Sequence, residues 1–163
     1  METATGDQVV TVREIMTRDV ITTSIDEPVE RVARQLSKHG ISGMPVVNTD
    51  GALVGMISEY DIISKRGKTA GDIMSRGVIS VDAEAEAEQV ATIVSMHGIR
   101  RVPVVRDGEL IGIVSRADLV RLFAIVRWTC TNCGAFERGF TRQETCSECG
   151  SADVRLDREP PIG

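Results

Sequence analysis

The hydrophobic positions of this chain change period several times, which predicts short strands alternating with short helices. Val20–Thr23 is a β-branched run typical of a strand. The stretch after it has apolar residues at the i, i+3, i+4 and i+7 spacing of an amphipathic helix: Val29, Val32, Ala33 and Leu36. Asp26 would cap this helix and Gly40 would end it. Residues 20–40 therefore predict a strand followed by a helix.

A hairpin and a second helix follow. Met44–Val47 and Leu53–Ile57 are apolar runs on either side of Asp50-Gly51, a residue pair that accepts the positive φ angles of a tight hairpin turn. The last helix begins at Ser58, where a polar Ser-x-x-Asp sequence replaces the apolar run. The elements are thus predicted in the order strand, helix, strand, strand, helix.

The whole pattern occurs again about 58 residues later. Ile15-Met16-Thr17-Arg18 returns as Ile73-Met74-Ser75-Arg76, and Pro45-Val46-Val47 returns as Pro103-Val104-Val105. The second helix would be capped by Asp82 and ended by Gly98. The later turn is one residue shorter than the first, and a deletion confined to a turn is typical of a duplicated structural unit. Residues 64–69 would link the two units.

Each unit ends in the sequence Gly-x-x-Ser-x-x-Asp, at a predicted strand–helix junction. A helix start exposes unpaired N–H groups and a partial positive charge, so it can hold a phosphate, with the Ser115 hydroxyl as a further donor. Asp118 offers two acceptors suited to neighbouring ribose hydroxyls. Arg116 follows Ser115 whereas Glu59 follows Ser58, so we expect an anion to prefer the second junction.

The same residues also have a purely structural interpretation. Ser-x-x-Asp is a capping-box variant, in which the serine and the acid satisfy the N–H groups of their own helix. Because the motif is duplicated in register, we favour nucleotide binding by at least one copy over capping alone. Capping and binding can also alternate, with a ligand replacing the cap.

The four cysteines lie together near the C-terminus, in two Cys-x-x-Cys-Gly sequences: Cys130, Cys133, Cys146 and Cys149. Two turns that each present two thiolates supply the four ligands of a tetrahedral zinc or iron site. Two disulfides are the alternative, which we consider less favoured in a reducing compartment. Trp128, Phe136 and Phe140 are expected to form a small apolar cluster beside the metal.

Composition and charge exclude several classes of function. The 163-residue chain is 42% hydrophobic and carries a net charge of −5, with 19 basic and 24 acidic residues, so it offers no basic surface for nucleic acid. No apolar stretch approaches the roughly 20 residues of a membrane helix, and the start, Met1–Gln8, is polar rather than signal-like. We therefore expect a cytoplasmic protein without a membrane partner. No nucleophile is paired with a base, so the sequence predicts no enzyme.

The repeats resemble a tandem pair of cystathionine-β-synthase (CBS) domains, and the cysteine segment resembles a zinc ribbon or rubredoxin-like domain. The resemblance implies an α/β (α+β) fold of two β-α-β-β-α repeats packed as a pseudo-twofold module, a metal-bound β ribbon, and a homodimer formed through the pair. It divides the chain into residues 10–66, 67–126 and 127–157. It also implies an adenine-containing ligand: AMP, ADP, ATP, NAD(H) or S-adenosylmethionine.

The resemblance also assigns the nucleotide-binding residues. Apolar side chains would hold the base, backbone groups would read its edge, and the junction residues would bind ribose and phosphate. In the first repeat these residues are Ile21, Thr22, Ile41, Met44, Pro45, Ser58 and Asp61. In the second repeat they are Ile79, Ser80, Ile99, Arg100, Arg101, Val102, Pro103, Ser115, Arg116 and Asp118.

Together these features predict a nucleotide-sensing regulatory protein with a structural metal and an unidentified protein partner. Three alternatives remain open: an iron electron-transfer protein modulated by a nucleotide, a nucleic-acid-associated regulator that uses the ribbon, and a dimerisation scaffold for the metal segment.

Overall fold

The structure, a computed structural model, describes residues 9–159. The polar start expected to lack a signal, Met1–Gln8, lies outside the described residues. The elements in chain order are α1 (Val12–Ile15), β1 (Thr23–Ser24), α2 (Val29–His39), β2 (Gly43–Val47), β3 (Leu53–Ser58), α3 (Glu59–Ser64), α4 (Ala70–Ile73), β4 (Val81–Asp82), α5 (Ala87–His97), β5 (Arg101–Arg106), β6 (Glu109–Ser115), α6 (Arg116–Ile125), β7 (Val126–Cys130), β8 (Phe136–Glu137) and β9 (Val154–Arg158).

The chain forms two compact units. The first, here the hairpin unit, comprises residues 16–83 and 101–113. The second, here the ribbon unit, comprises described residues 9–15, 84–100 and 114–159. The predicted mixed α/β fold with two β-α-β-β-α repeats is confirmed. None of the helices between residues 9 and 159 combines the length and apolar character that a membrane crossing requires.

The two repeats build two three-stranded sheets of the same topology, ordered β1-β2-β3 and β4-β5-β6. In each, the first strand pairs in parallel with the second, Thr23 opposite Val46 and Val81 opposite Val104. The predicted Asp-Gly turns are confirmed: Gly51 has φ 80°, and Asp107 and Gly108 have φ 52° and 79°. These angles are costly for most side chains, which explains glycine at the second turn position.

Some predicted boundaries are wrong. Asp26 and Asp82 do not cap the first helix of each repeat, because the N-cap positions are Pro28 and Glu86. The Val29 N–H instead donates to the Lys68 carbonyl at 3.0 Å, so backbone from a distant segment replaces a side-chain cap. The first strand is shorter than predicted, and helices α1 and α4 were not predicted. Gly40 and Gly98 do end α2 and α5, in left-handed conformations.

The glycine of each Gly-x-x-Ser-x-x-Asp motif permits a close backbone approach within the hairpin unit. Met56 and Ser75 exchange two backbone hydrogen bonds of 3.0 and 2.9 Å, and Ile113 and Thr17 do the same at 3.0 and 2.9 Å. A Cβ atom on Gly55 would lie 2.5 Å from Met74 Sδ and 3.1 Å from the Ser75 carbonyl oxygen. A Cβ atom on Gly112 would meet the Met16 sulfur at 2.6 Å. Each last strand thus pairs with the segment that begins the other repeat.

The hairpin unit has a continuous apolar core beneath its first sheet. Buried residues from α2, β2, β3 and α4 form it: Val32, Leu36, Met44, Val46, Ile57, Ala70, Ile73 and Met74. Because α4 lies at the start of the second repeat, this core depends on residues of both repeats.

The ribbon unit contains the third sheet, ordered β8-β7-β9. Strand β7 begins at Val126, directly after the last residue of α6, with no linker between them. Val10, Ala87, Leu122 and Val126 form a buried cluster there, against which Phe140 and Leu156 of the cysteine segment pack. The predicted small β ribbon is therefore present, and it shares an apolar core with α5 and α6.

Enlarging Gly55 should destabilise the protein in proportion to the added volume. Gly55→Ala and Gly55→Val would press on Met74 and on the Ser75 carbonyl, and overpacking of this kind costs about 1–3 kcal/mol. Urea unfolding should therefore give midpoints in the order wild type, Gly55→Ala, Gly55→Val. A valine variant as stable as the wild type would show that the close approach is not required.

Candidate functional site

Both Ser-x-x-Asp motifs form complete capping boxes. The Ser58 hydroxyl accepts from the Asp61 N–H at 3.3 Å, and the Asp61 carboxylate accepts from the Ser58 N–H at 2.8 Å. Ser115 and Asp118 make the same two bonds at 3.3 and 2.8 Å. The capping interpretation is therefore confirmed for both copies. A ligand at either junction has to share or replace these bonds.

Asp61 is the more deeply engaged of the two acids. It is 4% exposed, and its carboxylate pairs with Lys65 Nζ at 2.7 Å. Lys65 also donates to the Ile73 carbonyl at 3.1 Å and so is fixed in place. Burial alone would raise the pKa of Asp61, but bonds from Lys65 and Ser58 outweigh it and hold the pKa below its ordinary value. A ligand that displaced Lys65 and Ser58 would remove the hydrogen bonds that now satisfy this buried carboxylate.

Asp118 is more accessible to exchange. Its carboxylate is 8% exposed and pairs with Arg121, whose side chain is 72% exposed. Solvent screens the Arg121 side chain more than that of Lys65, which is 39% exposed, so we expect the Arg121–Asp118 pair to open more readily than the Lys65–Asp61 pair. The second carboxylate is therefore the better candidate for binding ribose hydroxyls.

The sequence analysis did not identify Lys65 as the partner of Asp61 or Arg121 as the partner of Asp118. Lys65 lies four residues after Asp61 and Arg121 three residues after Asp118, and both spacings place the side chains on one helix face. That spacing was the signal that could have found them.

Arg116 already has partners in the ribbon unit. Its guanidinium donates to the Gly98 and Ile99 carbonyls at 2.8 and 3.1 Å, at the C-terminal end of α5. Its backbone N–H donates to the Arg100 carbonyl at 3.1 Å. A phosphate at this helix start would sit beside a guanidinium that is held in place, although the group is not free.

The remaining residues assigned to the first repeat lie in the hairpin unit. The β2–β3 register places Gly43 opposite Ser58, so strand β2, which contains Met44 and Pro45, adjoins the capped junction. Met44 and Pro45 are fully buried, whereas Ile21, Thr22 and Ile41 are half-buried. Of these five residues, Ile21, Thr22 and Ile41 therefore have side-chain surface that a ligand could contact.

The residues assigned to the second repeat are divided between the two units. In the hairpin unit, Val102 and Pro103 are buried, Arg101 and Ser80 are half-buried, and Ile79 is 37% exposed. In the ribbon unit, Ile99 is half-buried and Arg100 is exposed. The assignment of these residues to a nucleotide stays a prediction.

The four cysteines converge as predicted. All four sulfur atoms lie within 4.8 Å of one another, with Cys130–Cys149 and Cys133–Cys146 separated by 3.6 Å. These separations exceed a disulfide bond of about 2.05 Å. They suit thiolates about 2.3 Å from one central zinc ion, which would stand near 3.8 Å apart. The donor set therefore fits a tetrahedral metal site.

Two matching turns hold the sulfur atoms. The Gly134 N–H donates to the Cys130 carbonyl and the Gly150 N–H to the Cys146 carbonyl, both at 2.9 Å. Gly134 and Gly150 have φ values of 79° and 72°, which favour glycine. The curled backbone lets the N–H groups of Ala135 and Ser151 reach the sulfurs of Cys133 and Cys149.

Two of the four thiols have pKa values shifted in opposite directions. The Ala135 N–H lowers the pKa of Cys133, but bonds with the neighbouring thiols raise it overall to about 12. The Asn132 side chain, followed by the Ser151 N–H, lowers the pKa of Cys149 to about 6. The shifts follow from hydrogen bonds that the thiols share with one another and with the two turns, and a metal bound by these sulfurs would favour their thiolate form.

The expected aromatic cluster forms only in part. Trp128 is 4% exposed and donates from Nε1 to the Gly139 carbonyl at 3.1 Å, and Phe140 packs on the ribbon-unit cluster. Phe136 is not a member: it is 53% exposed, and the Arg127 guanidinium lies over its ring at 4.8 Å. The two-residue strand β8 holds Phe136 on the sheet face opposite Trp128, so Phe136 lies outside the predicted apolar cluster.

Both repeats, each with an Asp-Gly hairpin and a capped junction, match a known domain family. Residues 12–68 and 70–125 each match the CBS domain. The chain belongs to the CBS domain family. The match ends at residue 125, before the four cysteines.

Two relatives from other organisms are similar over the same share of the chain. An uncharacterized Methanopyrus kandleri protein, MK0525, is 38% identical over 69% of this chain and 62% of its own length. Hypoxic response protein 1 of Mycobacterium tuberculosis is 31% identical over 68% of this chain and 83% of its own length. The chain therefore spans less than two thirds of the first relative.

Three solved CBS-pair structures are similar to this chain. CBSX2 in complex with AMP superposes with a TM-score of 0.66 at 29% identity, over 68% of this chain and 93% of that one. The pair of protein MJ0100 in complex with 5-methylthioadenosine and S-adenosyl-L-methionine gives 0.66 at 34% identity, over 71% and 97%. Hypoxic Response Protein I with two coordinated zinc ions gives 0.62 at 30% identity, over 69% and 98%.

Removing the Asp61 charge should reduce the acid sensitivity of the fold. Because the folded-state pKa of Asp61 is lowered, its contribution to stability is present above its unfolded pKa of about 3.9 and is lost as the pH falls through the folded value. The wild-type free energy of unfolding should therefore decrease on acidification below about pH 5, and Asp61→Asn should show a smaller decrease.

The measurement is urea unfolding across that pH range, with a double-mutant cycle to Lys65→Met to isolate the pair. Identical acid slopes for wild type and Asp61→Asn would contradict the assignment.

Proposed function

We propose that this protein is a regulatory, nucleotide-responsive CBS pair with a structural metal bound by its four cysteines. The observation that carries the proposal is the Ser115–Asp118 junction. It combines a capped helix start, a carboxylate with an exposed and exchangeable partner, and the Arg116 guanidinium beside it. Similar CBS pairs are known with AMP and with S-adenosyl-L-methionine, which supports an adenosine-containing ligand.

The ligand proposed for the second junction is a phosphorylated adenosine such as AMP, ADP or ATP. Arg116 and Arg121 carry positive charge near the helix start, whereas Glu59 stands at the equivalent place in the first repeat. Ribose hydroxyls would replace Arg121 at Asp118, while phosphate would take the helix N–H groups. Ile99, in the same unit as this junction, would contribute to holding the base. An uncharged adenosine derivative is the better fit to Ser58 and Asp61.

The metal proposal rests on the thiol geometry. Cys130, Cys133, Cys146 and Cys149 would hold zinc or iron, with no other protein ligand. When bound, the ion neutralises adjacent thiolates and orders a segment too small to fold on its own apolar core. The side chains and turns described above orient the sulfurs.

We also propose a domain division, an oligomeric state, a cellular location and a regulatory role for the chain. The chain is divided into repeats at residues 10–66 and 67–126 and a metal segment at 127–157. It acts as a homodimer in the cytoplasm, where thiols stay reduced. It transmits nucleotide binding to an unidentified protein partner and catalyses no reaction of its own.

Loss of one thiolate should abolish the metal site. Cys146→Ser removes a buried ligand, so we expect the bound metal to fall from one ion per chain to well below one. Elemental analysis of purified protein measures this, and visible absorption distinguishes iron from zinc. Thr145→Ser, at the exposed preceding position, is the matched control and should keep its metal. Full metal content in Cys146→Ser would show that the ligand set is wrong.

Loss of Asp118 should weaken nucleotide binding more than loss of Asp61. Hydrogen bonds to a charged group contribute about 1.5–3 kcal/mol, so Asp118→Ala should weaken AMP binding roughly ten- to hundredfold. Asp61→Ala should change AMP affinity less and cost more stability, because Asp61 is the buried partner of Lys65. Calorimetric titration with AMP, ATP and NADH, beside thermal melts of each variant, separates binding from stability.

If none of these nucleotides binds the wild type at millimolar concentration, the sensor function is wrong. The repeats would then be a scaffold for the metal segment.

A further inference from the structure

Helix α6 joins the proposed ligand junction to the metal segment. Its first turn contains Asp118 of the capping box, and its last residue, Ile125, is followed at once by β7. Strand β7 ends at Cys130, the first of the four thiols. A single uninterrupted backbone of one helix and one strand therefore runs between the two sites.

The C-terminal end of α6 is completed by groups from the metal segment. The last carbonyls of a helix have no partner within the helix. Here the Arg138 guanidinium donates to the Ala124 carbonyl at 3.0 Å and to the Val126 carbonyl at 3.4 Å. The Glu159 N–H donates to the Ile125 carbonyl at 2.7 Å. Arg138 is held in turn by the Glu159 carboxylate at 3.0 Å.

Apolar contacts reinforce this connection. Leu122 and Val126 are buried in the ribbon-unit cluster, against which Phe140 and Leu156 pack. The Phe123 and Phe140 rings lie 5.8 Å apart, centre to centre. Burial of large apolar side chains is the main favourable contribution to folding, so these contacts stabilise the connection between α6 and the metal segment.

These contacts depend on the folding of the metal segment. Arg138 and Phe140 lie in the stretch between the two Cys-x-x-Cys turns, and Trp128 binds the Gly139 carbonyl in the middle of it. Beyond the thiols, the segment has few buried side chains to hold this stretch in place. Without the metal, the α6 carbonyls would lose Arg138 and the apolar cluster would lose Phe140.

We propose that metal binding by the four cysteines and ligand binding at the Ser115–Asp118 junction are thermodynamically coupled through α6, with Arg138 as the positioning residue. This inference rests on the proposed nucleotide function. The sign is positive: a metal-loaded segment orders α6 in advance, so the ligand orders less of the chain when it binds. The coupling is reciprocal, so the ligand raises metal affinity by the same factor.

The test compares AMP binding by the full chain loaded with zinc and after removal of zinc by a chelator. We expect the zinc-loaded protein to bind AMP about fivefold tighter or more, the lower end of ordinary allosteric coupling. Zinc affinity measured with and without saturating AMP should change by an equal factor. Fluorescence of Trp128, the only tryptophan, reports whether the metal segment is ordered in each sample.

Arg138→Ala tests the route of the coupling while it retains all four thiols. It should bind one zinc ion per chain, but the ratio of AMP affinities with and without zinc should fall towards one. The matched control is Arg142→Ala, because Arg142 is an exposed arginine of the same stretch for which the described residues show no ion pair. That control should keep the wild-type ratio. Equal AMP affinities with and without zinc in the wild type would overturn the coupling and leave the nucleotide function standing.

A second readout keeps the two proposals distinguishable. If AMP binds neither form, the nucleotide function fails, and the coupling is judged by amide hydrogen exchange of α6. Removing zinc, or introducing Arg138→Ala into the zinc-loaded chain, should speed exchange at the amides of residues 119–125. Unchanged exchange in both cases would overturn the proposed route through α6, whatever the outcome with AMP.

Discussion

Two close backbone approaches hold the strands that lead to the two capped junctions. At Gly55 and at Gly112 the last strand of one repeat exchanges hydrogen bonds with the segment that begins the other. Each approach fixes the end of the strand, and the strand end fixes the serine at which the next helix begins. The close approach at each strand leaves no room for a Cβ atom at Gly55 or Gly112, which explains why the motif begins with glycine.

The reciprocal serine–aspartate cap means that a ligand at either junction would compete with groups that are already hydrogen-bonded. The serine hydroxyl accepts from the aspartate N–H and the aspartate carboxylate accepts from the serine N–H, so both residues of each cap have partners. With a ligand, phosphate and ribose would take over the same atoms. The free energy of binding would thus be the difference between the cap's own hydrogen bonds and the hydrogen bonds that the same groups make to the ligand. That difference is largest where the competing partner is weakest, as at exposed Arg121.

Local chemistry made part of this structure predictable. The Asp-Gly turns and the glycines that end α2 and α5 each depend on a few adjacent residues, and both were predicted correctly. The serine caps also depend on adjacent residues, and they were recognised from the sequence as the structural alternative to nucleotide binding. The four thiols were predicted to meet because their spacing admits few other arrangements. What failed depends on distant residues. Val29 begins its helix with a bond to Lys68 rather than to Asp26, and Phe136 faces outward because a two-residue strand pairs with β7.

The shared core of the ribbon unit bears on how this chain can be divided. The family match ends at residue 125, which suggests a natural place to cut. A fragment ending there would expose Val10, Ala87 and Leu122, which pack against Val126, Phe140 and Leu156 in the intact chain. Contiguous apolar surface of this kind promotes self-association. A fragment of residues 9–125 is therefore expected to associate with other copies of itself through this newly exposed apolar face.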